Sequence, residues 1–279
     1  MSLLSKTGGK RATHPEAAET LAPPLVSIVL ASFNCRKVIE NALRSVFEQS
    51  FGHKEIIVID GGSTDGTVNV LEKHDHLIDY WISENDEGIY HALNKGVSLA
   101  RGEWLYFLGA DDYLNDPGVL ERIFKRQLNA KLVYGDVILS GNGPVGRDGI
   151  VYDGAFSKLK LCYQNICQQA ILYHKSLFEE LGGFNLNYPI LADREFNIKV
   201  FANYGENTQY IDEIFAVYNT EGISSIDNGD NLESELPQIV LRELGFRYYA
   251  HLKLRRAYFY INGKFQFHIV KRFKSMFKL

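Results

Sequence analysis

Two strand-length apolar runs in this chain stop abruptly at carboxylates. One is IIVIDGGSTDGT, Ile56 to Thr67, which turns polar at Asp60; the other is EWLYFLGADDY, Glu103 to Tyr113, which ends at Asp111 and Asp112. A run such as Ile56-Ile57-Val58-Ile59 is apolar on both faces. That predicts a strand of a parallel sheet covered by helices on both sides. In open α/β sheets, ligands sit beyond the carboxyl ends of the strands. Three carboxylates at two such ends therefore predict one polar rim, chemically suited to a ribose, a divalent metal and a diphosphate.

The flanking segments alternate to match. LVSIVLASFN, Leu25 to Asn34, predicts a first strand and its exit loop. Lys37 to Gln49 carries Val38, Ile39, Ala42, Leu43, Val46 and Phe47 at helical spacing. After Asp60, the GGSTDGT turn offers Ser63, Thr64 and Asp65 as caps for a helix through about Lys73. Asp79 to Ser83 predicts a short strand around Trp81. Ile89, Leu93, Gly96 and Ala100 then share one face of a helix, with Asn85 or Asp86 as its cap. Asn115 or Asp116, followed by Pro117, predicts another helix start. The order β-α-β-α-β-α-β-α is that of a doubly wound sheet.

The second half is less regular. Lys131 to Leu139 predicts a strand, paired with Val145 to Tyr152 across a Gly-rich turn. CQQAILYHKSLFEELGGFN predicts a strand and then a helix. ADREFNIKVFANYG predicts a helix with Phe196, Val200 and Phe201 inward. Gln209 to Tyr218 gives one or two short strands, and Asn231 to about Tyr249 a helix. Three stretches follow: a polar, mobile segment over 1–24, a catalytic domain over 25–220, and a helical, basic-aromatic extension over 221–279.

Bulk properties narrow the class. Cys35, Cys162 and Cys167 are odd in number and scattered, which argues against a disulfide framework and for a reducing compartment. No run of about 18 apolar residues exists to span a membrane, and residues 1–24 lack a signal peptide's apolar core. The chain's net charge of −4 conceals an asymmetry: from Leu241 to Leu279 there are ten Lys or Arg and one Glu, so the body is acidic. Leu254 to Leu279 interleaves these cations with Phe265, Phe267, Ile269, Val270, Phe273, Met276 and Phe277. That mixture suits contact with an anionic membrane. A helix packed on the domain or on a second subunit is the plainer alternative. An acidic body repels phosphate backbones, so nucleic acid is not an expected partner.

Each candidate residue also has a plainer job. Asp111 and Asp112 point to opposite sides of a strand end, so one can meet a ribose and the other a metal, or one can cap a helix. Asp60 can accept from a base or ribose, or simply hold the GGST turn. GGSTDG is neither of the two common Gly-rich phosphate-loop patterns, which weakens hydride-transfer and P-loop readings. Asp193, in LADREF, can serve as a general base or as a helix N-cap. Glu195 is a second, surface-like choice. His74 and His76 have no neighbouring ligand cluster in sequence, and Cys162 and Cys167 read as small core residues.

From about Leu25 to Tyr218 the chain resembles the family-two inverting glycosyltransferases of GT-A fold. SIVLASFN is similar to the family's first nucleotide strand, and IIVIDGGSTDGT to its base-binding strand and turn. SENDEGIYHALNKGVSLARGEWLYFLGADD resembles the bacterial enzymes that build O-antigen and exopolysaccharide repeats. CQQAILYHKSLFEELGGFN and LADREF resemble their acceptor half. The resemblance implies a mixed, mostly parallel sheet flanked by helices, with a helical C-terminal extension. It implies Ala31, Ser32 and Asn34 lining the nucleotide pocket, with Asn94 matching a recurrent Asn of the helix before the metal strand. Asp60 would meet the base, Asp111 the ribose, and Asp112 would hold Mn²⁺ or Mg²⁺. Asp193 would be the catalytic base. The implied donor is a nucleotide sugar, UDP-linked by preference. The implied acceptor is a glycan or lipid-linked sugar of bacterial surface polysaccharide synthesis, met in the cytoplasm at the inner membrane face.

Two positions depart from the family pattern. Gly61 stands where many members have a second Asp, and Gly109 where many have an acid two residues before Asp111. The competing classes are nucleotidyl transfer, which wants a Gly- and Arg-rich loop that ASFNCRKV lacks, and a non-catalytic sugar-nucleotide binder, which would leave Asp193 remote from the Asp112 rim. The residues leave oligomeric state open.

Overall fold

The computed structural model describes residues 5–13, 23–143, 146–222 and 231–276, with side chains of the last helix described only to residue 262. Among these, ten strands form one sheet. They are β1 Lys6–Gly8, β2 Val26–Ser32, β3 Lys54–Asp60, β4 Tyr80–Ser83, β5 Trp104–Gly109, β6 Tyr113–Leu114, β7 Leu132–Ser140, β8 Val151–Tyr152, β9 Ile171–His174 and β10 Thr208–Asn219. The helices are α1 Lys10–Thr13, α2 Ile39–Phe47, α3 Thr67–Lys73, α4 Ile89–Leu99, α5 Val119–Phe124, α6 Lys158–Leu161, α7 Ser176–Leu181, α8 Ala192–Tyr204, α9 Leu232–Leu244 and α10 Phe246–Met276.

The spatial order is β1-β4-β3-β2-β5-β9-β7-β10-β6, with β8 on β7. From β4 through β3 and β2 to β5 every pairing is parallel. β9 then runs antiparallel to both β5 and β7, and β10 returns parallel to β7. The sheet is thus mixed, as expected, with its parallel block in the first half. β3 and β5 flank β2 on opposite sides, so the chain changes direction of winding at β2. That is the switch point where a ligand crevice opens beyond the strand ends.

Strand alternation accounts for the core. Val29, Ile57, Ile59, Leu105 and Phe107 face one layer. Ile28, Leu30, Ile56, Val58, Tyr106 and Leu108 face the other. Both faces are buried, which is why these strands read as unbroken apolar runs. Gly96 lets α4 lie directly on β2, since a Cβ there would stand 2.3 Å from Val29 Cγ1.

Several expectations need correcting. Residues 5–13, expected to be mobile, are docked: β1 pairs antiparallel with β4, and Arg11 donates to the Leu99 carbonyl at 3.0 Å and lies over the Tyr80 ring. The unpaired edge of β4 needed a partner, and nothing in residues 1–24 announced it. Ile89 is exposed and Tyr90 is the buried residue of that first helical turn, because the turn lies at the sheet rim. The helix expected through Tyr249 breaks at Gly245, whose φ of +90° is left-handed and favours glycine. Glu195 is buried, not superficial, and is held by Lys199 at 2.9 Å. His74 is engaged by Glu40 at 3.2 Å and tilts against Phe47. The apolar and basic side chains of residues 263–279 lie outside the described residues. No described helix is long and apolar enough to cross a membrane.

Candidate active site

The carboxyl ends of the parallel block lie level. Register pairs Ser32 with Asp60, Asp60 with Ser83, and Ala31 with Gly109. Asp60 closes β3 and is fully buried. Its Oδ1 accepts from the hydroxyls of Ser32 and Ser63 at 2.9 and 2.6 Å. Its Oδ2 accepts from the Ser83 hydroxyl and from the backbone N–H groups of Gly62 and Ser63. Five donors fill a carboxylate's acceptor capacity. Asp60, expected at the base, also fills the plainer role of holding three strand ends and one turn.

The loops after β2 and β3 are latched together. Asn34 sits in the left-handed region at φ 48°, where its short polar side chain is tolerated because it bonds locally. Its Oδ1 accepts from Thr64 N–H at 2.9 Å while its own N–H donates to Ser63 Oγ at 2.7 Å. Cys35 N–H donates to Thr67 Oγ1, and Arg36 N–H to Asp65. Asp65 also accepts from the N–H and hydroxyl of Thr67, the first residue of α3, while the N-cap position itself is Gly66 rather than Ser63, Thr64 or Asp65. Ala31, Ser32 and Asn34 thus lie together on the rim next to Asp60. Of the three, only Asn34 is exposed.

At both departures from the family pattern, the space a Cβ would take is occupied by another carboxylate. A Cβ at Gly61 would lie 2.8 Å from Asp86 Oδ2. The carboxylate missing at 61 is thus matched by one arriving from 86. Asp86 Oδ1 accepts from Gly88 N–H, and among the described residues Oδ2 accepts no hydrogen bond. A Cβ at Gly109 would lie 2.3 Å from Asp112 Oδ2, because the chain turns back so that Asp112 tucks under the end of β5.

That turn separates the two neighbouring carboxylates. Asp112 is 2% exposed. Its Oδ1 accepts from Asn219 N–H at 2.7 Å and its Oδ2 from Gln169 Nε2 at 2.6 Å. Burial first, and the Asp111 charge second, push its pKa up to about 8. Asp111 is half-buried at the rim; one oxygen accepts from Asn219 Nδ2 at 3.1 Å, and among the described residues the other meets no donor. Asp112, expected at a metal, is the more deeply buried member of the pair. Asp111 is the one presented to the crevice. Among the described residues no three His, Cys, Asp or Glu side chains converge as a preformed metal site. A hard cation that relies on one carboxylate plus ligand phosphates fits Asp111 alone.

Asp193 opens the second cluster. It lies in the first turn of α8 and is 6% exposed. Its Oδ2 accepts from Asn165 Nδ2 at 2.6 Å. The Tyr90 hydroxyl stands 2.8 Å from both its Oδ1 and the Ile190 carbonyl. Asn165 Oδ1 accepts from Asn197 Nδ2, and Asn197 Oδ1 from the Tyr173 hydroxyl. Burial raises the Asp193 pKa, while the Tyr90 and Asn165 donors pull the other way. Such a carboxylate binds a proton more strongly than a free one does, which is the property of a general base.

The loop from Asn165 to Gln169 joins the two clusters. Its first residue bonds Asp193 and its last bonds Asp112, and the Cys167 thiol between them is raised by burial and by both carboxylates. Asn94, expected at the nucleotide, instead donates to the Phe184 carbonyl at 2.9 Å and accepts from the Phe184 N–H at 2.8 Å. It ties α4 to the segment leading to α8. Tyr90, Asn165, Gln169 and Asn219 were not singled out by sequence reasoning. The paired Gln before the AILYH run was the one local signal; the others depend on long-range pairing.

Comparison with known proteins follows the same lines. Residues 27–182 match the profile of Glycosyl transferase family 2. A PGL/p-HBAD biosynthesis glycosyltransferase of Mycobacterium tuberculosis is 37% identical over 211 residues, covering 72% of this chain and 79% of that protein. Among solved structures, S. aureus TarS 1-349 in complex with UDP-GlcNAc has a TM-score of 0.63 at 19% identity, over 78% of this chain and 67% of that one. A longer TarS chain is covered to 42%. The mannosyltransferase PcManGT from Pyrobaculum calidifontis, in complex with GDP-Man and Mn²⁺, has a TM-score of 0.55 at 19% identity, over 80% of this chain and 65% of that one. At such identities the likeness speaks to the fold.

Proposed function

The chain belongs to glycosyl transferase family 2, and from that premise we propose an inverting transfer of a sugar from a nucleoside-diphosphate sugar to a hydroxyl of a glycan or lipid-linked acceptor. The observation that carries this reading is the Asn165–Gln169 loop, which ties the Asp193 cluster to the Asp111–Asp112 rim. A non-catalytic binder would not need a poised carboxylate beside its nucleotide crevice.

The donor nucleotide lies over the switch point, against Ala31, Asn34 and the Gly61–Gly62 turn. Asp86, with an oxygen to spare, accepts from the base or ribose, and Asp60 fixes the turn beneath. Asp111 faces the diphosphate. Mn²⁺ or Mg²⁺, when bound, supplies neutralisation of the leaving diphosphate's charge, and Asp111 is the residue that would hold it. Asp112 fixes the end of β5 and, through Asn219, orients Asp111.

Asp193 accepts the proton of the acceptor hydroxyl, whose oxygen attacks the anomeric carbon as the nucleoside diphosphate leaves. One displacement inverts the configuration and needs no covalent intermediate. Tyr90 and Asn165 aim the carboxylate, and their hydrogen bonds oppose the rise in its pKa that burial causes. We assign the donor preference to UDP-sugars, by likeness to the TarS fold in complex with UDP-GlcNAc. A glycolipid acceptor agrees with the biosynthetic name of the mycobacterial relative. Exposed Phe246, Leu254, Tyr258, Phe259 and Ile261 on α10, among Arg247, Lys253 and Arg255, support contact with an anionic cytoplasmic membrane face.

The test is release of nucleoside diphosphate from UDP-, GDP- and dTDP-sugars with a lipid-linked acceptor, followed by proton NMR of the new linkage. A product of opposite anomeric configuration supports the reading; a retained configuration, or release of pyrophosphate, overturns it.

A further inference from the structure

Behind Asp193 lies a second cavity of about 280 Å³, between α8, α9 and α10. It is smaller than the roughly 300–1,000 Å³ of sites for drug-sized ligands. Three of its lining residues are guanidinium groups: Arg194, Arg255 and Arg256. Leu236, Leu252 and Phe259 line the rest of it with apolar surface.

Among the described residues the charge in this cleft is not balanced. Of these, Glu233 is the one carboxylate lining it, and it serves two of the arginines: Arg194 Nη1 and, at 2.9 Å, Arg256. Arg194 is 6% exposed, and its Nε–H, wholly buried, meets no acceptor among the described residues. Arg255 has no carboxylate partner among them. Its guanidinium lies 4.0 Å from the centre of the Tyr163 ring and 5.3 Å from that of Phe259, and part of its donor capacity goes to the Tyr163 side chain. His251, 3.2 Å from the Tyr163 hydroxyl, stands beside that wall, which also carries the Cys162 thiol and the Tyr163 phenol, both raised by burial. A cluster of three arginines with one described carboxylate suits an anion, since forked N–H donors match phosphate oxygens.

We propose that this cleft binds a phosphate ester carrying an apolar chain, with the phosphate on Arg255 and Arg256 and the first methylenes against Leu236, Leu252 and Phe259. The inference rests on the reading of the chain as a transferase acting on a lipid-linked acceptor. The same two segments build both places. Arg194 follows Asp193 in the first turn of α8 and donates to the Cys162 carbonyl, while Asn165, three residues on, donates to Asp193. A phosphate seated here would hold an acceptor's sugar end near the base. The chemistry is shared by a lipid-linked acceptor and a bilayer phospholipid headgroup.

Calorimetric titration of the full chain with octyl phosphate, inorganic phosphate and octyl glucoside tests the site. Octyl phosphate should bind about tenfold or more tightly than either half-ligand. Arg255→Gln and Arg256→Gln should each lower its affinity by about tenfold, the worth of one charge-assisted hydrogen bond. UDP titration of every variant reports the nucleotide crevice separately. Octyl phosphate binding no better than octyl glucoside, with UDP binding intact, overturns the cleft alone. Loss of UDP binding by the parent overturns the reading beneath it. Neutral vesicles doped with a polyprenyl phosphate or with phosphatidylglycerol separate the sources. Arginine-dependent retention by the former alone assigns the acceptor, equal retention by both assigns the headgroup, and retention by neither overturns the proposal.

Discussion

Asn165 Nδ2 stands 2.6 Å from Asp193 Oδ2, and the direction of that hydrogen bond is fixed from behind. Asn165 Oδ1 accepts from Asn197 Nδ2, and Asn197 Oδ1 accepts from the Tyr173 hydroxyl. The Asn165 amide can thus only donate towards Asp193. A buried network with every direction set is worth more than its separate pairs.

Asp193→Asn should therefore fold as well as the parent. The new Nδ2 can donate to the Tyr90 hydroxyl, which passes its own hydrogen to the Ile190 carbonyl, and the new oxygen still accepts from Asn165. Turnover should fall by roughly two to four orders of magnitude, the range for a positioned base. UDP affinity should hold within about twofold, a change worth less than the 1.4 kcal/mol of a tenfold step. Paired kinetics and calorimetry decide this, and near-normal turnover would remove Asp193 from the chemistry.

Tyr90→Phe should move the acidic limb of the kcat–pH profile upward. Burial already raises the Asp193 pKa, and the Tyr90 hydroxyl opposes that rise. Removing the donor leaves the charged form less favoured, so the base form appears only at higher pH. Asn165→Ala should act in the same direction. A limb that stays in place or moves down would show that the profile reports another group.

Asp111→Asn should reduce Mn²⁺-enhanced UDP binding by about tenfold or more, as expected when a charged contact is lost. Asp112→Asn should largely preserve it. With its pKa near 8, Asp112 is mostly protonated at neutral pH, and Asn is its near neutral equivalent. The sign of the accompanying stability effect is fixed. The folded chain holds this proton more tightly than the unfolded one, so stability is fullest below the usual 3.8 and declines as pH rises towards about 8. Metal-free Asp112→Asn should show a flatter decline in urea unfolding across that window. A decline as steep as the parent's would refute the assignment.

Asn94→Ala should cost about 1–3 kcal/mol of stability, because it strands the buried N–H and C=O of Phe184. A direct nucleotide contact would instead weaken UDP binding while leaving the melting temperature alone. Differential scanning calorimetry beside a UDP titration separates these outcomes.

Vesicle co-sedimentation checks the face of α10. The chain should pellet with anionic vesicles at low ionic strength and be released by salt, since the lysine and arginine contribution is screened. Leu254→Ser together with Tyr258→Ser should weaken pelleting. Salt-independent pelleting, or none, would leave α10 as a packing or subunit surface.

The parallel block was legible because each strand is buried on both faces and ends in polar residues: Val26–Ser32, Lys54–Asp60 and Trp104–Gly109 agree with the sequence within a residue or two. Asp111, Asp112 and Asp193 were legible as carboxylates at the ends of elements. Which of them faces solvent was not. That depends on Gly109 leaving room for Asp112 to tuck back, and on Asn219 arriving at the end of β10, more than a hundred residues away. The bonds of Asn94 were hidden for the same reason, because its partner Phe184 is ninety residues distant. A residue's type and local spacing show what it can bond, and only the pairing of remote segments decides which bond it makes.

The short pairing of Lys6–Gly8 with Tyr80–Ser83 has a practical consequence. Those three residues occupy ladder groups of an edge strand that would otherwise face water next to Trp81. An edge left open beside a large aromatic is a template for another chain's backbone. Trimming these residues, or fusing a tag that pulls them away, should convert a well-behaved protein into one that self-associates and expresses poorly, with the catalytic crevice untouched. Expression designs should keep residues 5–13 and place affinity handles where they exert no tension on this arm.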